Sequence, residues 1–537
     1  MAVNVIIGVG GTGAKIVESV LMLMSTGIGP KGKVIVGLVD QDNSNGNVVR
    51  SEHLLSLIGR VRRDFDVSFN PDNAIDWKAD EAAGGIPLFS IQLEPLFGEG
   101  AAAHWRPAPD NMPTLRDILR HQDLPPDERA LFDVLFRGDS AAAGEQEQTM
   151  DLAEGYRGRA HVGTAALVSA VNHDQPEFLR KLIELMKASN GGEEVRIFMA
   201  GSLFGGTGAA GFPTIARMLH KLRDVESPKE QIKGDKVRLG GVLMLPYFRF
   251  GEPADASANV ITSAQLLPQA RVALEFYQSL IHQEAVFDHL YITGWDEMFD
   301  LGYHEPGRGE QRNPPLLPEL VAALAAVDFF DPEQNIVPTQ QPIVAARRDQ
   351  QAFDWDDLPA SPRIKQLLDT RLGGALRFAV WWYYRVEPAL DVRGLFGGIT
   401  QGWLKKLAGD TDWQRGTPEA RKNLQEYCSL LLDWASAMQL LSNARLGRFG
   451  LWDTAPFRTA DPKKPTKPIE LRSERSEEES RDDLTKVLRP RDPQKPPVDA
   501  QVVFSDLHSD LKVGESQGLG RLVAGVHHAT QPFRNGG

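Results

Sequence analysis

Two glycine-rich loops, each set between a strand pattern and a helix pattern, constrain this chain more than any other feature. The first is Val5-Ile6-Ile7-Gly8-Val9-Gly10-Gly11-Thr12-Gly13. The second is Ile197-Phe198-Met199-Ala200-Gly201-Ser202-Leu203-Phe204-Gly205-Gly206-Thr207-Gly208, running into Ala209-Ala210-Gly211. A strand that turns through glycine into a helix presents free N–H groups and the positive end of the helix dipole. Glycine also lets the backbone come close to a phosphate, so Gly206 and Gly208 are expected to lie against phosphate oxygens. Two such loops on one sheet can grip a phosphate chain from two sides, whereas a dinucleotide-binding unit needs only one.

The surrounding pattern is α/β. An apolar run over residues 3–8 leads into a helix pattern through about Met24, and a second run, Val34 to Val39, ends in Asp40-Gln41-Asp42. Further helices are expected over 163–173 and 176–189, and strands over Val195–Ala200, Leu239–Leu245 and His289–Thr293. Strands alternating with helices predict a doubly wound parallel sheet, with ligands at the carboxyl ends of its strands. Residues 60–150 read as a helical insertion on the sheet edge. Residues 1–312 are expected to form the unit that carries the glycine loops, a nucleotide-binding domain on this reading, and 313–360 to hold one apolar helix and an acidic loop. The region 361–453 is mainly helical, 454–500 is a charged, Pro-rich linker, and 501–537 is a tail with an expected edge strand at Val502-Val503-Phe504. Phe378 to Tyr384 reads as buried helix rather than a membrane span.

Composition removes several classes. The formal net charge of -13 leaves no basic footprint for gripping nucleic acid. One cysteine, Cys428, allows neither an intramolecular disulfide nor a cysteine-based metal site. No apolar run is long enough to span a bilayer, and the first residues read directly as a strand; a cytoplasmic location is expected.

Taken alone, Gly8, Gly10 and Gly13 with Asp40 match a dinucleotide fingerprint, which suggests an NAD(P)-dependent oxidoreductase. That reading leaves the second loop unused. The second loop has no lysine at its helix start, so it is not a Walker loop. It needs backbone amides, the Thr207 hydroxyl and a bridging metal ion instead.

The order of the loops over residues 1–360 resembles that of the tubulin/FtsZ superfamily, closest to its divergent bacterial members. Gly10-Gly11-Thr12-Gly13 resembles the first nucleotide loop, and Asp40-Gln41-Asp42 falls at the second. The third is matched by Gly155-Tyr156-Arg157-Gly158-Arg159, where Arg157 and Arg159 could pair with the γ-phosphate. Gly205-Gly206-Thr207-Gly208 is similar to the signature loop, with Phe204 where a leading glycine is usual. Leu245-Pro246-Tyr247-Phe248-Arg249-Phe250-Gly251-Glu252 resembles the fifth loop, which brings in Pro246 and Glu252. Asn313 stands at the start of the central helix, which faces the base. Ala14 and Lys15 occupy the places of two family asparagines, and Lys15 is either near a phosphate or solvated.

The resemblance implies GTP or GDP with Mg²⁺, head-to-tail self-association, and slow GTP hydrolysis completed across the subunit contact. Asp354 and Asp357, in Ala352-Phe353-Asp354-Trp355-Asp356-Asp357, match the acidic catalytic pair, although the same cluster could simply cap a helix. The rival is a nucleotide-binding scaffold with little hydrolysis and no polymer, meeting accessory proteins through its C-terminal region and linker.

Overall fold

The structure is a computed structural model. It describes residues 2–77, 85–138, 146–173, 176–249, 251, 263–296, 298–301, 313–333, 336–338, 341–347, 353–390, 402–408, 418–446, 449–454, 458–459, 470–471, 500–509, 511 and 513–531. Its centre is one parallel sheet. The strands are β1 (Val3–Val9), β2 (Lys33–Val39), β3 (Gln92–Pro95), β4 (His104–Trp105), β5 (Val195–Ser202), β6 (Val237–Met244), β7 (His289–Trp295) and β8 (Ile343–Arg347). They lie in the order β8-β7-β6-β5-β1-β2-β3, with β4 also on β2. The order turns back between β1 and β5, and such a switch point opens a crevice at the carboxyl ends of the strands. The register sets Gly8 beside both Leu38 and Ala200, so the first loop, Asp40 and the second loop leave the sheet side by side.

Both faces of the sheet are buried over its inner strands, while the edge strand β8 is partly exposed, and period-2 alternation divides the inner side chains between the two faces. Val5, Ile7 and Val9 face one layer with Ile197 and Met199. That layer holds α5 (Glu177–Met186), α6 (Thr207–Asp224) and α7 (Ser263–His282). Ile6, Phe198 and Val242 face the other layer, with α1 (Gly10–Ser25), α2 (Gly46–Asp64) and α8 (Leu317–Phe330). α8 is apolar nearly all round and only Asp328 among its residues is not buried. A helix without a polar face must be enclosed. Here α1 and the sheet cover one side of it, and the C-terminal helices the other.

Those C-terminal helices belong to the same apolar cluster as α1. The run Pro362–Leu367, Leu368–Leu372, Gly373–Trp381, Trp382–Val386 and Glu387–Leu390 is continuous, with π turns in its second and fourth pieces; we call it α9. It buries Trp381 and Trp382, as read from the sequence. α10 (Gly402–Ala408) and α11 (Pro418–Leu446) follow. Tyr427 of α11 is 2.7 Å from Ser25 Oγ, and Trp434 Nε1 donates to Ser19 Oγ, which fastens α11 to α1.

Three expectations are corrected. The stretch 60–150 is not simply helical: it adds β3 and β4 to the sheet beside β2, together with α3 (Pro126–Leu135). Strands this short carry too little periodicity to read. β8, within 331–351, likewise went unread. Val502-Val503-Phe504 is helical, part of α12 (Ala500–Leu507), because Val503 and Leu507 share one buried helix face. A run of three apolar residues cannot distinguish the two periods. α4 (Ala160–His173) and α13 (Gly518–Ala529) complete the labelled elements. Apart from two short paired strands, Arg458–Thr459 and Glu470–Leu471, the linker 455–499 lies outside the described residues. No helix among the described residues is long and apolar enough to cross a membrane.

Candidate functional site

α1 and α6 begin at the carboxyl ends of adjacent strands, β1 and β5. Neither has a side-chain N-cap: Val9 and Gly206 stand at the cap positions with no side-chain hydrogen bond. A helix start otherwise leaves up to four N–H groups without intrahelical partners. The two starts touch. Gly10 has φ +75°, and a Cβ there would lie 2.7 Å from Gly208 N. Gly205 also has positive φ, +85°, but its missing Cβ would meet nothing within 4 Å, so it faces open space.

Asp40 lies between the two loops. Its Oδ1 accepts from Thr207 Oγ1 at 2.8 Å, and its Oδ2 accepts from Asn45 Nδ2 at 2.8 Å. Asp42 N donates to the same Oδ1 at 3.2 Å. Burial pushes the Asp40 carboxyl above the usual carboxylate range; the Thr207 hydrogen bond opposes this and the Asp42 charge adds to it. The protonated form therefore contributes stability at low pH, and that contribution is lost as pH rises through the raised value. A cation that binds the carboxylate competes with the proton over the same window. A divalent cation held by this carboxylate is thus expected to raise the unfolding temperature more on the alkaline side of that raised value than on its acid side. Thermal unfolding of the parent and of Asp40→Asn checks this, and an equal gain on both sides would detach Asp40 from the cation.

The third loop closes over this pair. A Cβ on Gly155 would lie 3.3 Å from Asp42 Cβ. A Cβ on Gly206 would lie 2.8 Å from Tyr156 Cβ and 3.1 Å from Gly158 N. At Gly208 it would lie 3.0 Å from Ser202 Oγ. The space a side chain would need at Gly206 and Gly208 is thus filled by protein atoms. Gly205 is the residue that opens outward. Arg157 and Arg159 already have carboxylate partners, Arg157 with Glu154 and Arg159 Nε with Glu147 at 3.3 Å. A phosphate would have to compete with these.

The fifth loop and the start of α8 sit behind the first loop. Pro246 is buried, and Tyr247 donates to Glu319 Oε1 at 2.6 Å while also bonding the Thr12 side chain. Lys15 Nζ is 2.5 Å from Glu319 Oε1, with both side chains inside the protein. Lys15 is thus not solvated but paired inside the protein. Burial lowers the Lys15 pKa and raises that of Glu319, and each opposes the other's shift through their pairing. Glu252 lies outside the described residues.

Sequence reasoning missed two asparagines here. α2 begins at Gly46, and its N-cap Asn45 accepts from Asn47 N. Asn47 Oδ1 accepts from Asn313 N at 3.0 Å, and Arg50 donates to the Asn313 carbonyl. Asn313 Oδ1 is buried without a hydrogen-bond partner among the described residues. The Asn45–Asn47 pair follows an acidic loop and precedes an apolar pattern, which is a readable helix start.

Asp354 and Asp357 stand apart. Asp354 N donates to Asp357 Oδ2 at 2.7 Å, a capping box around the turn Trp355–Asp357. Asp357 is 3.6 Å from Arg347, the last residue of β8. The acidic pair therefore flanks the carboxyl end of β8, four strands from β1, roughly 20 Å at normal strand spacing. Ala352 lies outside the described residues. The site thus brings together Gly10, Gly11, Thr12, Gly13, Asp40, Asp42, Gly158 and Gly205 to Gly208, with Asn313 reached through Asn47, and leaves the acidic pair outside. In comparisons with known proteins, no family model, no characterised protein and no solved structure matches this chain.

Proposed function

We propose that this chain is a tubulin/FtsZ-like protein that binds GTP or GDP with Mg²⁺ between its glycine loops. One observation carries the reading: two uncapped helix starts meet at Gly10 and Gly208, with Asp40 and Thr207 between them. An anion there would take up the free N–H groups of both helices. The residues suit the group in other respects. Gly205 leaves room, Asp40 and Asp42 offer carboxylates to a magnesium ion that otherwise keeps water and phosphate ligands, and Asn313 offers an unpartnered acceptor to a base. Extraction of the nucleotide that copurifies with the protein tests the reading. Guanine nucleotide is the expected result, and NAD(P) would replace the proposal with the oxidoreductase reading.

The assembly that goes with this reading is head-to-tail self-association, which propagates when it does not close. Hydrolysis would need Asp354 and Asp357 to reach a neighbour's γ-phosphate. The capping box favours the second reading, a nucleotide-binding scaffold with little hydrolysis. The pair flanks the same sheet edge as the glycine loops, while a head-to-tail contact joins opposite edges. Turnover is therefore expected to be slow, linear in protein concentration, and unchanged in Asp354→Ala and Asp357→Ala. A loss on the order of a hundredfold in either variant, with binding intact, would restore the hydrolytic reading.

A further inference from the structure

The tail is seated like a ligand. α12 and α13 lie against α9 and α10, and α13 also lies against the turn Pro71–Asn73. Val503, Leu507, Leu519, Leu522, Val523 and Val526 are buried there. The polar contacts are specific. Gln517 N donates to the Ala74 carbonyl at 2.8 Å, Leu519 N to Asn73 Oδ1 at 2.9 Å, and Asp76 N to Ser516 Oγ at 3.0 Å. Arg377 Nε donates to the Thr530 carbonyl at 2.9 Å, and Phe504 packs edge-on against Trp381. A Cβ on Gly520 would lie 2.3 Å from the Ala74 carbonyl oxygen and 2.4 Å from that of Asn73, so backbone meets backbone directly.

The chain joining this segment to α11 runs through residues 455–499. Fully extended, a stretch of that length spans on the order of 100 Å. We propose that residues 500–531 are an exchangeable docking segment, and that a second copy of this chain takes up the tail of the first in the same seat. The partner is fixed by identity: the acceptor surface is the one that each copy already carries, so no new interface is required, as in domain swapping. The connecting chain favours the tail's own seat through an effective concentration that is roughly millimolar for short linkers and falls with length. Exchange therefore grows when copies are crowded together, and the tail then ties neighbours to one another. This holds with or without nucleotide.

The test uses the full chain with cysteines introduced at the seat. Asp76→Cys and Ser516→Cys stand at the two ends of the 3.0 Å contact between Asp76 N and Ser516 Oγ, and the native Cys428 is buried. The double variant is expected to close an intramolecular disulfide. Two single variants mixed and oxidised slowly are expected to give a covalent heterodimer whose yield rises with protein concentration, because oxidation traps each exchanged pair. Adding Gly520→Val to the Ser516→Cys chain should abolish it. Closure in the double variant with no heterodimer from the mixture at any concentration would overturn exchange. Failure of the double variant to close would overturn the seat itself.

Discussion

Glu319→Ala is expected to cost about 3–5 kcal/mol of folding stability, the usual loss when one partner of a buried ion pair is removed. Lys15 and Glu319 are both fully inside, and nothing else described offers Lys15 an opposite charge so close. Glu18 contributes only weakly to Lys15 and is held by two bonds from Arg50. Tyr247 would also lose its acceptor. The double variant Lys15→Met with Glu319→Leu should recover most of the loss, since apolar replacement of a buried pair is often neutral. Its residual deficit is the Tyr247 hydroxyl together with the buried Leu316 N–H, which donates to Glu319 Oε2 at 2.9 Å in the parent, about 1–3 kcal/mol for each group left unsatisfied. Denaturant titrations of parent, single and double variants decide this. A single variant within 1 kcal/mol of the parent would mean that Lys15 simply loses its proton at little cost.

On the proposed reading, Gly10→Val should weaken nucleotide binding by a factor on the order of a hundred or more. Loss of two charge-assisted N–H contacts accounts for that magnitude. Two causes act together. A β-branched residue resists φ +75°, and its Cβ would force Gly208 N away from the junction of the two helices. Calorimetry with GTP and Mg²⁺ measures it, with circular dichroism as the check on folding. A folded Gly10→Val protein that binds with parental affinity would remove the first loop from the site. Gly206→Val is the less informative substitution, because it separates the third loop from α6 through Tyr156 whatever the ligand does.

Much of the frame was legible in the sequence. Apolar runs ending in glycine or aspartate marked β1, β2 and β5, because parallel strands are buried on both faces and read as continuous hydrophobic stretches. The glycine loops were legible for the same local reason: strand, turn and helix start within a dozen residues. β3, β4 and β8 were not, since a strand of two to five residues owes its existence to the neighbour it pairs with. The tail helix was misread because three apolar residues fit either period.

The candidate site divides the same way. Local sequence determined that Gly10 and Gly208 stand at helix starts and that Asp40 follows β2, and it offered the acidic cluster as a helix cap; the structure gives that cap to Ser361 and leaves Asp354 and Asp357 around their own turn. Only the tertiary structure decided which of these meet. The strand order placed β2 and β5 on either side of β1, so Asp40 reached Thr207 and the two loops closed on each other. Packing of α8 against α1 turned Lys15 from a surface residue into a buried partner of Glu319. Pairing of β8 with β7 carried the acidic pair away from the glycine loops. Contacts between residues distant in the chain carry no local signature. Their energy comes from burial and pairing that exist only once the sheet has formed.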